Sequence, residues 1–177
     1  MPGCAERSGG RRLPCVAKGA ERPVCKQLGG KAKLFDKLEL GGLRYGFEIK
    51  KVRPGAALPG RATPGSAAAD LRAVCGDEGV TLQPMGRAVI PTGIAVELPG
   101  PEYVALVFAR SGLAVKNGLT LSNGVGVIDS DYRGEISVGL VNLSDKPYTV
   151  QNGERIAQLA VMPVALPDML EVETLTD

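Results

Sequence analysis

At 177 residues, with 44% hydrophobic and 23% charged residues, the chain has the size and composition of one globular domain with a proper core. No apolar run approaches the ~20 residues of a membrane helix, and the first thirty residues lack the apolar stretch of a signal peptide, so the expectation is a cytoplasmic, reduced protein. The net charge of +2 conceals a split: residues 1–53 hold 13 Lys+Arg against 5 Asp+Glu, and residues 54–177 hold 8 against 14.

Residues 1–45 are rich in Gly, Arg, Lys and Cys, have little periodicity, and read as a basic, disordered extension. Within it only Lys33–Leu40 suits a short helix or strand. A basic leader on an acidic domain suits nucleic-acid or membrane contact, or an extension with no function of its own. Order begins at Phe47–Val52, which alternates apolar and polar residues and ends at Arg53-Pro54-Gly55, so the folded domain is taken as 46–177. Strands follow at Ala68–Ala73, at Arg87–Ile90 and Gly93–Leu98 either side of Pro91, and at Tyr103–Ala109. Ser111–Lys116 suits one helical turn. Further strands are expected at Leu119–Ser122, Glu135–Leu143, Tyr148–Val150, Arg155–Val164 and Leu170–Val172. Pro99-Gly100-Pro101, Asn117-Gly118, Asp145-Lys146-Pro147 and Asn152-Gly153 punctuate them. Many short strands with Gly and Pro turns indicate an all-β barrel, sandwich or jelly roll. Cys4, Cys15, Cys25 and Cys75 form no C-x-x-C pair, and without histidine a zinc site would be all-thiolate, so unpaired thiols are expected.

The chain contains no histidine. Proton transfer near neutral pH then falls to a carboxylate, a cysteine, a lysine or a tyrosine. The densest chemistry lies in Gly124–Ile136, where apolar residues enter at Val125, Val127 and Ile128 and leave at Ile136, Val138 and Leu140. That pattern reads as a hairpin with a polar tip, and Asp129 and Asp131 are the first candidates for a base. Asn123 suits pairing with a base edge, and the Tyr132 ring suits stacking on a flat or apolar ring. An Asp-rich turn alone accounts for the acids but not for the tyrosine and asparagine together. Three further segments carry chemistry. Arg110-Ser111-Gly112 follows a buried strand and offers a guanidinium fork, a hydroxyl and an approachable backbone to phosphate; it equally suits a strand-to-turn junction with a surface arginine. Asp70, in a strand of small residues, suits a cation's water shell or a salt-bridged acid. Gln158 suits a phosphate donor or an edge-strand side chain bonded to backbone.

In this order the four segments resemble the trimeric dUTP pyrophosphatases (dUTPases), from about Phe47 to the end of the chain. Ala67 through Arg72 is similar to the family's first motif, Arg110-Ser111-Gly112 to the second, Asn123 through Gly134 to the third, and Arg155-Ile156-Ala157-Gln158-Leu159 to the fourth. The dCTP deaminases share the fold but have a different third motif, and Asp129-Ser130-Asp131-Tyr132 favours the dUTPase side. The resemblance implies jelly-roll-like β-barrel subunits in a homotrimer, with active sites shared between neighbours, and hydrolysis of dUTP to dUMP and pyrophosphate. It implies Asp129 as general base on a water attacking the α-phosphate, and Arg110, Ser111, Gly112 and Gln158 as phosphate ligands. Asn123, Gly126, Val127 and Ile128 would read the uracil and deoxyribose, and Tyr132 would pack on the sugar and leave no space for a 2′-hydroxyl. Mg²⁺ would lie across the triphosphate with Asp70 on its water shell. Neither a membrane nor a nucleic acid is required. The family's fifth motif, a Gly-rich arm with an arginine and an aromatic residue, is expected about where Thr174-Leu175-Thr176-Asp177 closes the sequence. A chain without that arm has an alternative reading as a nucleotide-binding or regulatory protein with weak or no turnover.

Overall fold

A computed structural model describes residues 46–176. The basic extension expected over 1–45, its Lys33–Leu40 element and Cys4, Cys15 and Cys25 lie outside the described residues. In chain order the elements are β1 (Glu48–Lys51), β2 (Ala69–Arg72), β3 (Val80–Leu82), β4 (Arg87–Pro91), β5 (Ile94–Glu97), β6 (Tyr103–Ala109), α1 (Ser111–Asn117), β7 (Leu119–Leu121), β8 (Gly126–Ile128), β9 (Ser137–Asn142), β10 (Tyr148–Val150) and β11 (Arg155–Pro163). The strands pair antiparallel in four small sheets, ordered β1-β5, β10-β3, β2-β11-β6-β8 and β4-β9-β7.

These sheets close on one core of aliphatic side chains, among them Leu71, Ile90, Ile94, Leu119, Leu140 and Ile156, each at most 1% exposed. Each such burial contributes about 1.5–3 kcal/mol, which lets a chain with so few aromatics hold a core. The polar exceptions are satisfied. Asn142, fully buried, donates Nδ2 to the carbonyls of Leu82 and Lys146 and accepts at Oδ1 from the backbone and hydroxyl of Ser144. It thereby ties the end of β9 to β3 and to the turn before β10.

Three differences from the sequence expectations have physical causes. Val80–Leu82 is a strand although three residues are too few to announce one; its pairing with Tyr148–Val150, reinforced by a 2.8 Å bond between the Thr81 and Thr149 hydroxyls, makes it one. Leu170–Val172 is not a strand, because it has no pairing partner among the described residues and its Leu170 and Val172 side chains are exposed. The segment Gly124–Ile136 is not a hairpin: β8 pairs with β6, and β9 pairs with β4 and β7. The polar loop between them crosses from one sheet to another.

One irregularity matters for the site. β11 carries a register shift between Arg155 and Ala157 against β2, so that Arg155 faces Arg72 while Gln158 faces Asp70. Strand side chains alternate faces, so one extra residue moves its neighbours to the other side of the sheet. The bulge puts Arg155 on the face of Asp70, where regular pairing would put Ile156. Ile156 is instead buried in the core.

Candidate active site

Asn123 sits in the turn between β7 and β8, held by bonds from Gly124 N to Leu121 O (3.3 Å) and from Val125 N to Asn123 O (2.9 Å). With Gly126, Val127, Ile128, Val107 and Gly139 it lines a recess of about 120 Å³. β8 is the outer strand of its four-stranded sheet. Its backbone groups on the side away from β6 therefore have no strand to pair with among the described residues and can meet a ligand. Gly126 keeps the recess open. A Cβ there would lie 3.0 Å from the Cβ of Val107 and 3.7 Å from Nδ2 of Asn123.

Asp129 follows β8 directly, on the exposed loop that crosses to β9. The loop is tight: Tyr132 N bonds to Asp129 O at 3.1 Å, and Arg133 Nη1 donates to Ser130 O at 2.7 Å. Tyr132 is 43% exposed, and its hydroxyl donates to the Glu135 carbonyl at 3.0 Å. The ring lies over Gly134, where a Cβ would sit 2.6 Å from Cζ. Glu135 closes the loop. Its two oxygens accept from Arg53 Nε at 2.6 and 2.8 Å, and Oε1 also accepts from Gly93 N at 2.9 Å. The hydrogen bond from Arg53 holds the Glu135 carboxyl below its ordinary range; partial burial opposes this, and the Gly93 N–H adds to it.

A second cluster forms where β2, β11 and the end of β6 meet. Asp70 is 8% exposed and takes Arg110 Nε on Oδ1 (2.9 Å) and Arg155 Nη1 on Oδ2 (3.1 Å). Arg110 Nη1 donates to the Arg155 carbonyl at 3.0 Å. With Nε and Nη1 so engaged, the Arg110 fork is fixed in place and Nη2 is left to meet an anion. Arg110 is also the N-cap residue of α1, and the exposed Ser111 and Gly112 open that helix. Outside the backbone of α1 itself, no atom of the described residues lies within 4 Å of a Cβ placed on Gly112, so a ligand has room to approach that backbone. Gln158, half-buried, faces Asp70 across β2 and Phe108 across β6. Asp70, Arg72 and Arg155 also line a recess of about 210 Å³ with Gly60 and Arg61.

The structure thus groups the expected residues in two sets. Asn123, Gly126, Val127 and Ile128 share one recess beside the loop of Asp129 and Tyr132; Arg110 and Gln158 gather around Asp70, which lines the other, with Ser111 and Gly112 following Arg110. The two recesses have no lining residue in common. Among the described residues no group of three or more His, Cys, Asp or Glu side chains is placed to hold a metal ion. Asp70 meets two guanidinium groups. Sequence reasoning passes over three residues that organise these sets. Arg155 stands inside a segment already singled out, but only the bulge turns it onto Asp70. Glu135 comes after the turn glycine and looks like the start of a strand. Arg53 lies 82 residues from its partner and carries no local signal.

Comparison with known proteins points the same way. The family model for dUTPase matches residues 55–177. A deoxyuridine 5′-triphosphate nucleotidohydrolase of Hydrogenobaculum sp. (strain Y04AAS1) is 47% identical over 129 residues, 73% of this chain and 88% of that protein. One from Desulfitobacterium hafniense (strain DSM 10664 / DCB-2) is 50% identical over 120 residues, 68% of this chain and 79% of that protein. Among solved structures, a mutant Staphylococcus bacteriophage 80alpha dUTPase with dUpNHpp superposes with TM-score 0.68 at 27% identity, covering 76% of this chain and 92% of that one. A mutant dUTPase of phage phi11 of S. aureus, whose structure details the coordination of a structural Mg(II) ion, gives the same TM-score at 24% identity, covering 75% of this chain and all of that one. The likeness extends over the jelly-roll-like β-barrel expected from the sequence, and the chain belongs to the dUTPase family.

Proposed function

We propose that this chain hydrolyses dUTP to dUMP and pyrophosphate, with Asp129 as the base. The observation that carries this reading is the placement of Asp129. Its carboxylate is the first group after the edge strand that lines the base-sized recess, on an exposed loop closed by hydrogen bonds that involve Asp129, Ser130, Gly93 and Glu135. In a chain without histidine this step falls to a carboxylate, a cysteine, a lysine or a tyrosine, and Asp129 is the carboxylate beside the recess. Asp129 takes a proton from a water that attacks the α-phosphorus in line, and the reaction then depends chiefly on positioning and charge stabilisation.

The free backbone edge of β8 and the amide of Asn123 read the uracil edge. A cytosine presents the opposite donors and acceptors there and leaves buried groups unpaired. Tyr132 packs against the deoxyribose, where a 2′-hydroxyl meets the ring face. Arg110, Ser111, Gly112 and Gln158 hold the phosphates. Mg²⁺ enters with the substrate as magnesium–dUTP and offsets part of its charge; no metal cage among the described residues competes for it. Asp70 serves the phosphates through Arg110, which it orients. The base-reading recess is lined by none of Arg110, Ser111, Gly112 and Gln158, and this separation supports a homotrimer in which neighbouring subunits complete each site.

Pyrophosphate release from magnesium–dUTP, compared with dCTP, UTP and dTTP, tests the reading. The expected result is turnover of dUTP in strong preference to the others. Saturable dUTP binding without pyrophosphate release identifies a nucleotide-binding regulator instead, and ammonia release from dCTP identifies a deaminase.

A further inference from the structure

We propose that Arg53 and Glu135 form a clamp that positions Tyr132 and so sets discrimination at the sugar, making Arg53, which lies outside the family-matched segment 55–177, a specificity-determining residue. The proposal rests on the reading above in which Tyr132 faces the deoxyribose.

The clamp has two halves. On one side, β1 pairs with β5 and the chain leaves it through Arg53, with Val52 N donating to Gly93 O (2.8 Å) and Ala56 N to Arg53 O (3.3 Å). On the other, the loop carrying Asp129 and Tyr132 ends at Glu135 and Ile136. Ile136 N donates to Ile94 O (2.8 Å), and the Thr92 hydroxyl donates to Ile136 O (2.5 Å). Gly93 stands between the halves. It accepts from Val52 and donates to Glu135, at φ +70°, and a Cβ on it would fall 2.6 Å from the Ala56 Cβ and 3.3 Å from the Arg53 Cβ. Only glycine suits a left-handed backbone in so close a space.

The link to the ring is direct. Both Glu135 side-chain oxygens are held by Arg53, which fixes the residue whose carbonyl receives the Tyr132 hydroxyl. Tyr132 then lies across Gly134 with its far end tethered. Arg133 adds a looser brace from the same loop to Glu97 on β5, at 3.5 Å. If Glu135 is released, the phenol acceptor moves and the ring gains freedom at its tip. A ring that tilts makes room for a 2′-hydroxyl without altering the base recess, whose lining includes none of these residues. Discrimination of dUTP from UTP should therefore fall while discrimination of dUTP from dCTP stays. A purely structural ion pair would lower both together, or neither.

The experiment measures kcat/KM for dUTP, UTP and dCTP in the full chain and in Arg53→Ala, Arg53→Lys and Glu135→Gln. Expected is a fall of about three- to tenfold in the dUTP/UTP ratio for Arg53→Ala and Glu135→Gln. Arg53→Lys, which keeps the charge but not the rigid planar donor of the guanidinium, should fall between. The dUTP/dCTP ratio should change less than twofold throughout. Glu135→Gln keeps an acceptor for Gly93 N–H and so stays informative if Arg53→Ala folds poorly. An unchanged dUTP/UTP ratio in both variants overturns the clamp, as does an equal fall in both ratios. Failure of the underlying reading looks different: the unaltered chain would then release no pyrophosphate from dUTP at all.

Discussion

Asp70→Asn separates two roles for an acid at the phosphate cluster. In the structure both of its oxygens face guanidinium groups, with side-chain exposures of 9% for Asp70, 20% for Arg110 and 44% for Arg155. Removing one partner of a buried ion pair costs about 3–5 kcal/mol, because a charge is left in poor solvent. An exposed pair contributes about 0.2–1 kcal/mol. The Arg110 pair lies nearer the first case and the Arg155 pair nearer the second. Asparagine keeps one acceptor for Arg110 but turns an amide toward Arg155. The expected loss is about 2–4 kcal/mol, and for a domain of this size that lowers Tm by roughly 8–16 °C. Thermal unfolding at fixed protomer concentration, with EDTA and with Mg²⁺, measures it. The fall should be the same in both conditions, and KM for dUTP should rise as Arg110 loses its fixed orientation. If Asp70 instead holds a metal's water shell, Tm in EDTA stays within about 2 °C of the unaltered chain and only the Mg²⁺ dependence of turnover moves. That outcome refutes the argument from the ion pairs.

Asp129→Asn should retain dUTP binding and lose roughly 10²–10⁴-fold in turnover, the usual range for a general base; near-normal pyrophosphate release removes Asp129 from the mechanism. Gly126→Ala places a methyl 3.0 Å from the Val107 Cβ beside Asn123, so KM for dUTP should rise by about an order of magnitude with little loss of Tm, and an unchanged KM means the base does not enter that recess. Tyr132→Ala should relax the dUTP/UTP ratio, whereas Asn123→Ala should relax dUTP/dCTP; ratios that move together would make the ring mere packing. Glu135 has its carboxyl held below the ordinary value of 4.5 by Arg53, so its contribution is present above that value and is lost as pH falls through the lowered one. The Tm difference between the unaltered chain and Glu135→Gln should shrink between pH 6 and pH 3, and a constant difference speaks against the pair.

Legibility in the sequence depends on which interactions are local. Tyr103–Ala109 and Arg155–Pro163 announce themselves because buried aliphatic runs need no knowledge of a partner. Val80–Leu82 does not, since a strand of three residues exists only through its pairing with Tyr148–Val150. Leu170–Val172 shows the converse, with the composition of a strand and no strand beside it. The loop Asp129–Gly134 is visible as chemistry but reads wrongly as a hairpin tip, because apolar runs on either side of a turn do not say whether they share a sheet.

The site divides along the same line. Groups that touch a nucleotide in the proposed reaction must have the right chemistry, so Asp129, Arg110, Asn123 and Tyr132 stand out by type. Groups that aim them need only the right place. Arg155 reaches Asp70 through a bulge, and Arg53 reaches Glu135 across 82 residues of chain. Neither position has a local pattern to read. The two positioning pairs nonetheless share a design. Each attaches a carboxylate to an arginine from a distant segment, and each leaves the functional side chain one bond away: Arg110 beside Asp70, Tyr132 on the carbonyl of Glu135. A loop as exposed as Asp129–Gly134 would otherwise lose much of its orientation to conformational entropy. Holding its end with charged hydrogen bonds, rather than burying it, keeps the base in water where it must find its proton and still fixes the ring that must refuse a hydroxyl.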